Sequence, residues 1–265
     1  MLNQYCLIES SYYKNLHDDF LVPSAQAAVG MAAYLPFNSL ANEMTRRTFH
    51  AVKHTRPSVS LARLYAGYPR VASGFAASTV LQTAVNNHLM AYAGDMSPLG
   101  TVIEPLVPCI AGVVSAPLSA VWEAYAAHVG GSRLIDWKRV ARLSIAPIAV
   151  REAIFSYSYL SVAQQARQSL QDAGIDSPLG AAITGGAAAG ALGAIVSQPV
   201  SEVARLVQNA HRPMSAVEAS LLLVTRMRQA RSIMPLYQTA LPRTCGMLAA
   251  VAAMELTRAY VSVTG

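Results

Sequence analysis

The chain has 265 residues, 53% of them hydrophobic and only 13% charged, with a formal net charge of +6. A soluble domain carries about 25% charged residues, so this composition, with a mean hydropathy of +0.33, points to a membrane protein. The three cysteines are scattered and odd in number, and they support neither a disulfide framework nor a metal-ligand spacing.

In chain order, residues 1–20 are polar, with acids, aromatics and a single lysine, Lys14. They read as neither a signal peptide nor an Arg-rich transit peptide. Six helices follow, predicted at 22–48, 69–93, 98–128, 145–172, 178–210 and 239–262. They contain the uncharged stretches Leu21–Asn42, Val71–Gly94, Pro105–Trp122 and Ser177–Ser201, each long enough for a hydrocarbon core, which needs about 20 helical residues. Buried helices of a large soluble α-protein are the competing reading, and the hydropathy favours it less. Strands are not expected, because the stretches are rich in Ala, Gly and Leu and lack period-2 alternation. Pro105, Pro108 and Pro117 should make the third helix irregular, which a membrane helix tolerates.

Seventeen of the 20 basic residues fall in three segments, Arg46–Arg70, Arg133–Arg151 and Arg205–Arg243. The segments between them lean acidic, with Glu9, Asp18 and Asp19, then Asp95 and Glu104, then Asp172 and Asp176. That alternation is what the positive-inside bias produces when hydrophobic segments cross back and forth. A nucleic-acid surface would instead gather the basic residues on one face with aromatics between them. Each basic segment should carry a short amphipathic surface helix, near 57–66, 134–142 and 215–230.

Pro36, Pro117 and Pro199 lie 81 and 82 residues apart, each near the end of a small-residue apolar stretch. A fixed period sets the architecture: an N-terminal extension at 1–21, then repeats at 22–97, 98–176 and 177–265. Each repeat is two helices with a proline late in the first and a basic loop between. The starts of the second helices are also alike, with Tyr65, Pro69 and Arg70, then Pro147 and Arg151, then Tyr237, Pro242 and Arg243.

These prolines, the Tyr-x-x-x-x-Pro-Arg at 237–243 and the run Gly185-Gly186-Ala187-Ala188-Ala189-Gly190 with Gly193 resemble the mitochondrial carrier family. The resemblance covers residues 22–262. It implies an all-α membrane protein of three tandem two-helix repeats, six transmembrane helices and short matrix-side helices. The glycines, inside an apolar span with no preceding strand, serve helix packing rather than phosphate binding.

The family motif P-x-[DE]-x-x-[KR] supplies ion pairs that close the matrix side reversibly. Here the acidic positions are Asn38, Ser119 and Ser201, and the basic positions are Ala41, Trp122 and Ala204. None is charged. Glu43, Glu123, Glu202 and Arg205 stand nearby, but a one-residue shift turns a side chain by about 100°, so they are expected to face elsewhere. On the opposite side, the family's acidic gate positions fall near Asn86, Gln164 and Ala259. Only Gln164 with Arg167 looks like a remnant, and Glu255 and Arg258 have the right mutual spacing about one turn early.

Arg151 and Glu152 form the one charged pair deep in a predicted crossing, either near a substrate site or as structural pairs with neighbouring helices. As adjacent residues they should need other partners. His50 and His54 have an i, i+4 spacing that could hold a metal, but a solvated or headgroup-facing surface is the preferred reading, and no metal site is expected. No nucleophile–base or paired-carboxylate motif indicates an enzyme.

The expected function is a non-transporting accessory subunit of a respiratory-chain or ATP synthase complex in the mitochondrial inner membrane. The alternative is a solute transporter with non-standard gates. The expected partners are the lipid bilayer and other subunits, with no nucleic acid. Tyr5, Tyr12, Tyr13 and Phe20 are candidate anchors for a partner, since aromatics are enriched at interfaces. No cofactor is expected beyond a bound lipid such as cardiolipin. Both termini should face the intermembrane space.

Overall fold

A computed structural model describes residues 21–50, 65, 67–95, 100–129, 136–175, 177–210 and 212–264. Among them the regular structure is helical, with no strand. The helices are α1 (Val22–His50), α2 (Tyr68–Asp95), α3 (Val107–Val129), α4 (Trp137–Tyr157), α5 (Ala163–Asp172), α6 (Pro178–Val196), α7 (Gln198–Asn209), α8 (Ala216–Ala230) and α9 (Ala240–Thr264). Tyr5, Tyr12, Tyr13, Phe20, His54 and the 57–64 part of the first surface helix lie outside the described residues, as does the side chain of His50.

The helix starts follow local chemistry. Asp136 accepts hydrogen bonds from the N–H groups of Lys138 and Arg139, and Ser177 accepts from Gly180 ahead of Pro178 at the first turn. Ser215 and Glu218 form a reciprocal capping box at the start of α8. That helix ends at Arg231, whose φ of 47° is left-handed.

Three expectations about helix limits are corrected. The segment 134–142 is not a separate surface helix, and the fourth helix does not begin at 145. α4 runs unbroken from Trp137, and Pro147 is held inside it. The 178–210 segment is not one helix. It breaks at Ser197 (φ −84°, ψ 1°), because Pro199 has no N–H for the preceding turn. The 98–128 segment divides into a short turn at Gly100–Ile103, a 3-10 turn at Glu104–Leu106 around Pro105, and α3. A π-helical turn at Ser158–Val162 joins α4 to α5.

The helices close into a ring in chain order. α1 packs on α2, α2 on α3, α3 on α4, the α4–α5 rod on α6, α6 on α9, and α9 back on α1. Close approach depends on glycine. A Cβ on Gly112 of α3 would lie 2.4 Å from the carbonyl oxygen of Glu152 on α4, and one on Gly190 of α6 would lie 2.9 Å from Val251 of α9. The hydroxyls of Tyr65 and Tyr68 bond the carbonyls of Ala32 (3.2 Å) and Ala28 (3.0 Å), which fixes the start of α2 against α1.

Met31, Leu35, Val71 and Trp122 form a conventional apolar cluster between α1, α2 and α3, but along stretches of α3 and α6 small residues face inward and large ones outward. α3 buries Ala111, Gly112, Ser115, Ala116, Ser119 and Ala120, and exposes Val113, Val114, Leu118 and Val121. α6 likewise buries Ala181, Ala182, Gly185, Gly186, Ala189, Gly190, Gly193 and Ala194 and exposes Leu192, Ile195 and Val196. Soluble cores bury the large apolar residues; small residues inward and large ones outward suit a lipid surround. Among the described residues, two helical stretches, Glu104–Val129 and Pro178–Val196, are long and apolar enough to cross a membrane.

Candidate functional site: a plugged polar interior

α7 is set across one end of the ring and touches α1, α3 and α4. Gln198, Ser201, Glu202 and Ala204–Asn209 are all buried, so almost every side of this charged helix meets protein. Around it lies a buried polar network.

At its centre Arg151 of α4 engages both oxygens of Glu123 on α3, with Nη1 to Oε2 at 2.8 Å and Nη2 to Oε1, and also bonds Glu152 through Nε at 3.2 Å and through Nη2. Adjacency therefore does not keep Arg151 and Glu152 apart, contrary to expectation. The long guanidinium curls back over its neighbour while its fork grips Glu123. Gln208 of α7 donates to Glu123 at 3.2 Å. Arg205 and Asn209 of α7 donate to Asn42 of α1 at 3.0 and 3.3 Å. These bonds join α7 to both earlier repeats.

The second part of the network surrounds the break at Ser197. Arg243 of α9, 1% exposed, donates to the Ala194 carbonyl (2.6 Å), Ser197 Oγ (2.8 Å) and Gln198 Oε1 (3.2 Å). It supplies donors where the interrupted helix has lost them. Glu202 accepts from the Thr239 N–H (3.1 Å), the Thr239 hydroxyl and Gln198 (2.7 Å).

Glu123, Glu202 and Arg205 do not face away from the interior, as the one-residue offset suggested; all three are buried in this network. The offset argument assumes one continuous helix with one inward face. The break at Ser197 resets the phase of α7, and a helix enclosed on nearly all sides has no outward register.

The six positions that lack gate charges are all buried. Trp122 packs edge-to-face on Phe75 at 5.6 Å, and its Cβ fills the space left by Gly74. Ala204 packs with Ala116, Ala120 and Ile148. The Tyr34 hydroxyl donates to Asn38 at 3.4 Å, and Ser201 donates to the Ser197 carbonyl at 3.0 Å. Pro36 and Pro117 lie within α1 and α3, whereas Pro199 sits in the first turn of α7 after the break.

The opposite end is open. A cavity of about 710 Å³ is lined there by Gln26, Thr83, Asn87, Gln164, Arg167 and Glu255, among others. Arg167 pairs with Glu255 at 3.1 Å; Gln164 lines the cavity beside that pair. The residue one turn early is thus the one Arg167 meets. Among the described residues no group of His, Cys, Asp and Glu is arranged to hold a metal ion.

Sequence reasoning missed Asn42, Gln198, Gln208, Asn209 and Thr239, and read Arg243 only as part of a repeated helix start. The available signal was the i, i+4 pair Gln198–Glu202 followed by Arg205 and Asn209, a polar stripe continuing past a proline where an apolar span should have ended. No protein-family model and no curated protein matches the chain.

Proposed function

We propose that this chain is a carrier-like inner-membrane protein of mitochondria that does not transport. In this reading it serves as a structural subunit of a respiratory-chain or ATP synthase complex. On this reading the six members of the ring are the six crossings of a three-repeat carrier, with basic loops toward the matrix and termini toward the intermembrane space. Two of its members meet the apolarity of a membrane span by themselves; the reading has the other four cross alongside them.

The observation that carries the proposal is the closed end. Reversible closure needs contacts that exchange with water at low cost, such as exposed ion pairs worth about 0–1 kcal/mol each. Here the gate positions are filled by Trp122, Ala41 and Ala204, and α7 is bonded to both neighbouring repeats through buried amides and arginine. Opening that end would expose an Arg–Glu pair whose side chains are 10% accessible, along with every polar group bonded to it. A single state suffices for a structural subunit, whereas transport needs two.

One observation favours the alternative, a transporter with non-standard gates. The open end keeps a polar cavity and a part-exposed ion pair between the second and third repeats, Arg167–Glu255, with side-chain exposures of 29% and 4%. Mild-detergent native gels with mass spectrometry of the co-migrating band separate the two readings. The structural reading requires migration with a large complex. A free monomer that exchanges solutes in liposomes would replace it with the transporter.

A further inference from the structure

The cavity at the open end has no part in a purely structural role, yet its wall is chemically specific. It lies where α1, α2, α5 and α9 meet the π-helical turn, and amides dominate the wall: Gln26, Asn87, Gln164, Gln168 and Gln171. Its formal charges are Arg167 and Glu255, which belong to different repeats and are 3.1 Å apart. Arg167 lines the cavity and keeps 29% of its side chain exposed. A guanidinium offers five N–H donors, so this one has capacity beyond its bond to Glu255.

A second observation marks the same wall. Tyr159 and Leu160, which line the cavity, belong to the π-helical turn Ser158–Val162. Such turns interrupt regular helices at an energetic cost and occur frequently at functional sites. Here the turn places Tyr159 and Leu160 beside Gln164 and Arg167 of the following helix.

Charge balance narrows the ligand. A simple anion would gain Arg167 but face the Glu255 carboxylate, and a simple cation would face the reverse problem. A ligand carrying both charges close together satisfies both residues. We propose that this cavity binds a small zwitterion, an anionic group beside an ammonium, with the anion on Arg167, the ammonium on Glu255 and the amides on its remaining polar atoms. Guanidinium–oxyanion bonds are among the stronger charge-assisted pairs, and two such contacts replace the single α5–α9 pair. Free α-amino acids and the phosphoethanolamine headgroup of a lipid share this chemistry.

The test uses the purified full chain in a non-ionic detergent, so it does not depend on whether the chain joins a complex. A panel of L-amino acids is titrated calorimetrically and by thermal unfolding, each against its matched amine without the carboxylate and its matched acid without the ammonium. In a parallel arm the chain is placed in phosphatidylethanolamine or phosphatidylglycerol vesicles. At least one zwitterion should bind and raise the unfolding temperature, and its amine and acid analogues should not. Arg167→Ala and the near-isosteric Glu255→Gln should each weaken binding about tenfold or more, with unliganded melts showing that the variants fold. Stabilisation by phosphatidylethanolamine alone would assign the zwitterion to a lipid headgroup. The proposal is overturned if no zwitterion stabilises the chain in either arm, if the amine or acid analogue binds equally well, or if both folded variants bind as tightly as the parent.

Discussion

Arg151→Gln removes the cation that two carboxylates share. Glu123 and Glu152, with side chains 10% and 13% exposed, would be left in the bundle without their guanidinium. Removing one member of a buried pair costs about 3–5 kcal/mol, because the survivor stays charged and unpaired. Whole domains are typically stable by only about 5–15 kcal/mol, so the loss is a large share. The double change E123Q/R151Q removes one of the stranded charges and should be milder than R151Q alone by about 0.5–3 kcal/mol. Both are read by titrating the folded chain from mild detergent into dodecyl sulfate while following helix content by circular dichroism. A loss below about 1 kcal/mol for R151Q, the worth of a surface pair, would mean that the network is solvated, and the argument for a locked end would fail.

Gly112→Val should separate α3 from α4, because its Cβ meets the Glu152 backbone at 2.4 Å and backbone cannot swing aside. The expected cost is about 1–3 kcal/mol in the same titration, whereas Gly94→Ala, with nothing within 4 Å, should be neutral or slightly stabilising. The Ser215 N–H holds the Glu218 carboxyl below its usual range. Its folded pKa is depressed, so the cap's contribution is complete above the unfolded value and fades as pH falls through the folded one; amide protection at the start of α8, taken relative to the intrinsic exchange rate at each pH, should fall on acidification in the parent and not in Glu218→Gln. Cysteine placed at Ser215 should resist an impermeant label in intact mitoplasts, while one at Ser11 should react; the reverse would overturn the orientation. Deleting residues 1–20 should abolish association with a large complex while the bundle still inserts, and full-yield co-purification of the truncated chain would contradict the docking role given to Tyr5, Tyr12, Tyr13 and Phe20.

Much of the helix map was legible because it rests on local composition. Predictions of 22–48, 69–93 and 215–230 stand beside Val22–His50, Tyr68–Asp95 and Ala216–Ala230. The failures came where tertiary contacts decide. Nothing local separates 134–142 from the next helix once Asp136 caps it and Pro147 is absorbed into its length. Pro199 breaks the helix locally at Ser197, but the Arg243 side chain that covers the polar groups of the break comes from 46 residues later. Arg151 was singled out as a buried charge, but its grip on Glu123 is a contact 28 residues apart in sequence. The burial of Glu123, Glu202 and Arg205 follows from α7 lying across the ring, which no periodicity within α7 can express. Reading a charge as misplaced required an axis that the chain bends away from.

The central claim is that the closed end has one state. Spin labels at Leu40 on α1 and Val121 on α3, both on the exposed side of their helices, bracket that end without entering the network. Double electron–electron resonance in liposomes should give one narrow distance distribution, unchanged by candidate solutes or by pH. A second, longer distance that grows when a solute is added would contradict the account and make the protein a transporter.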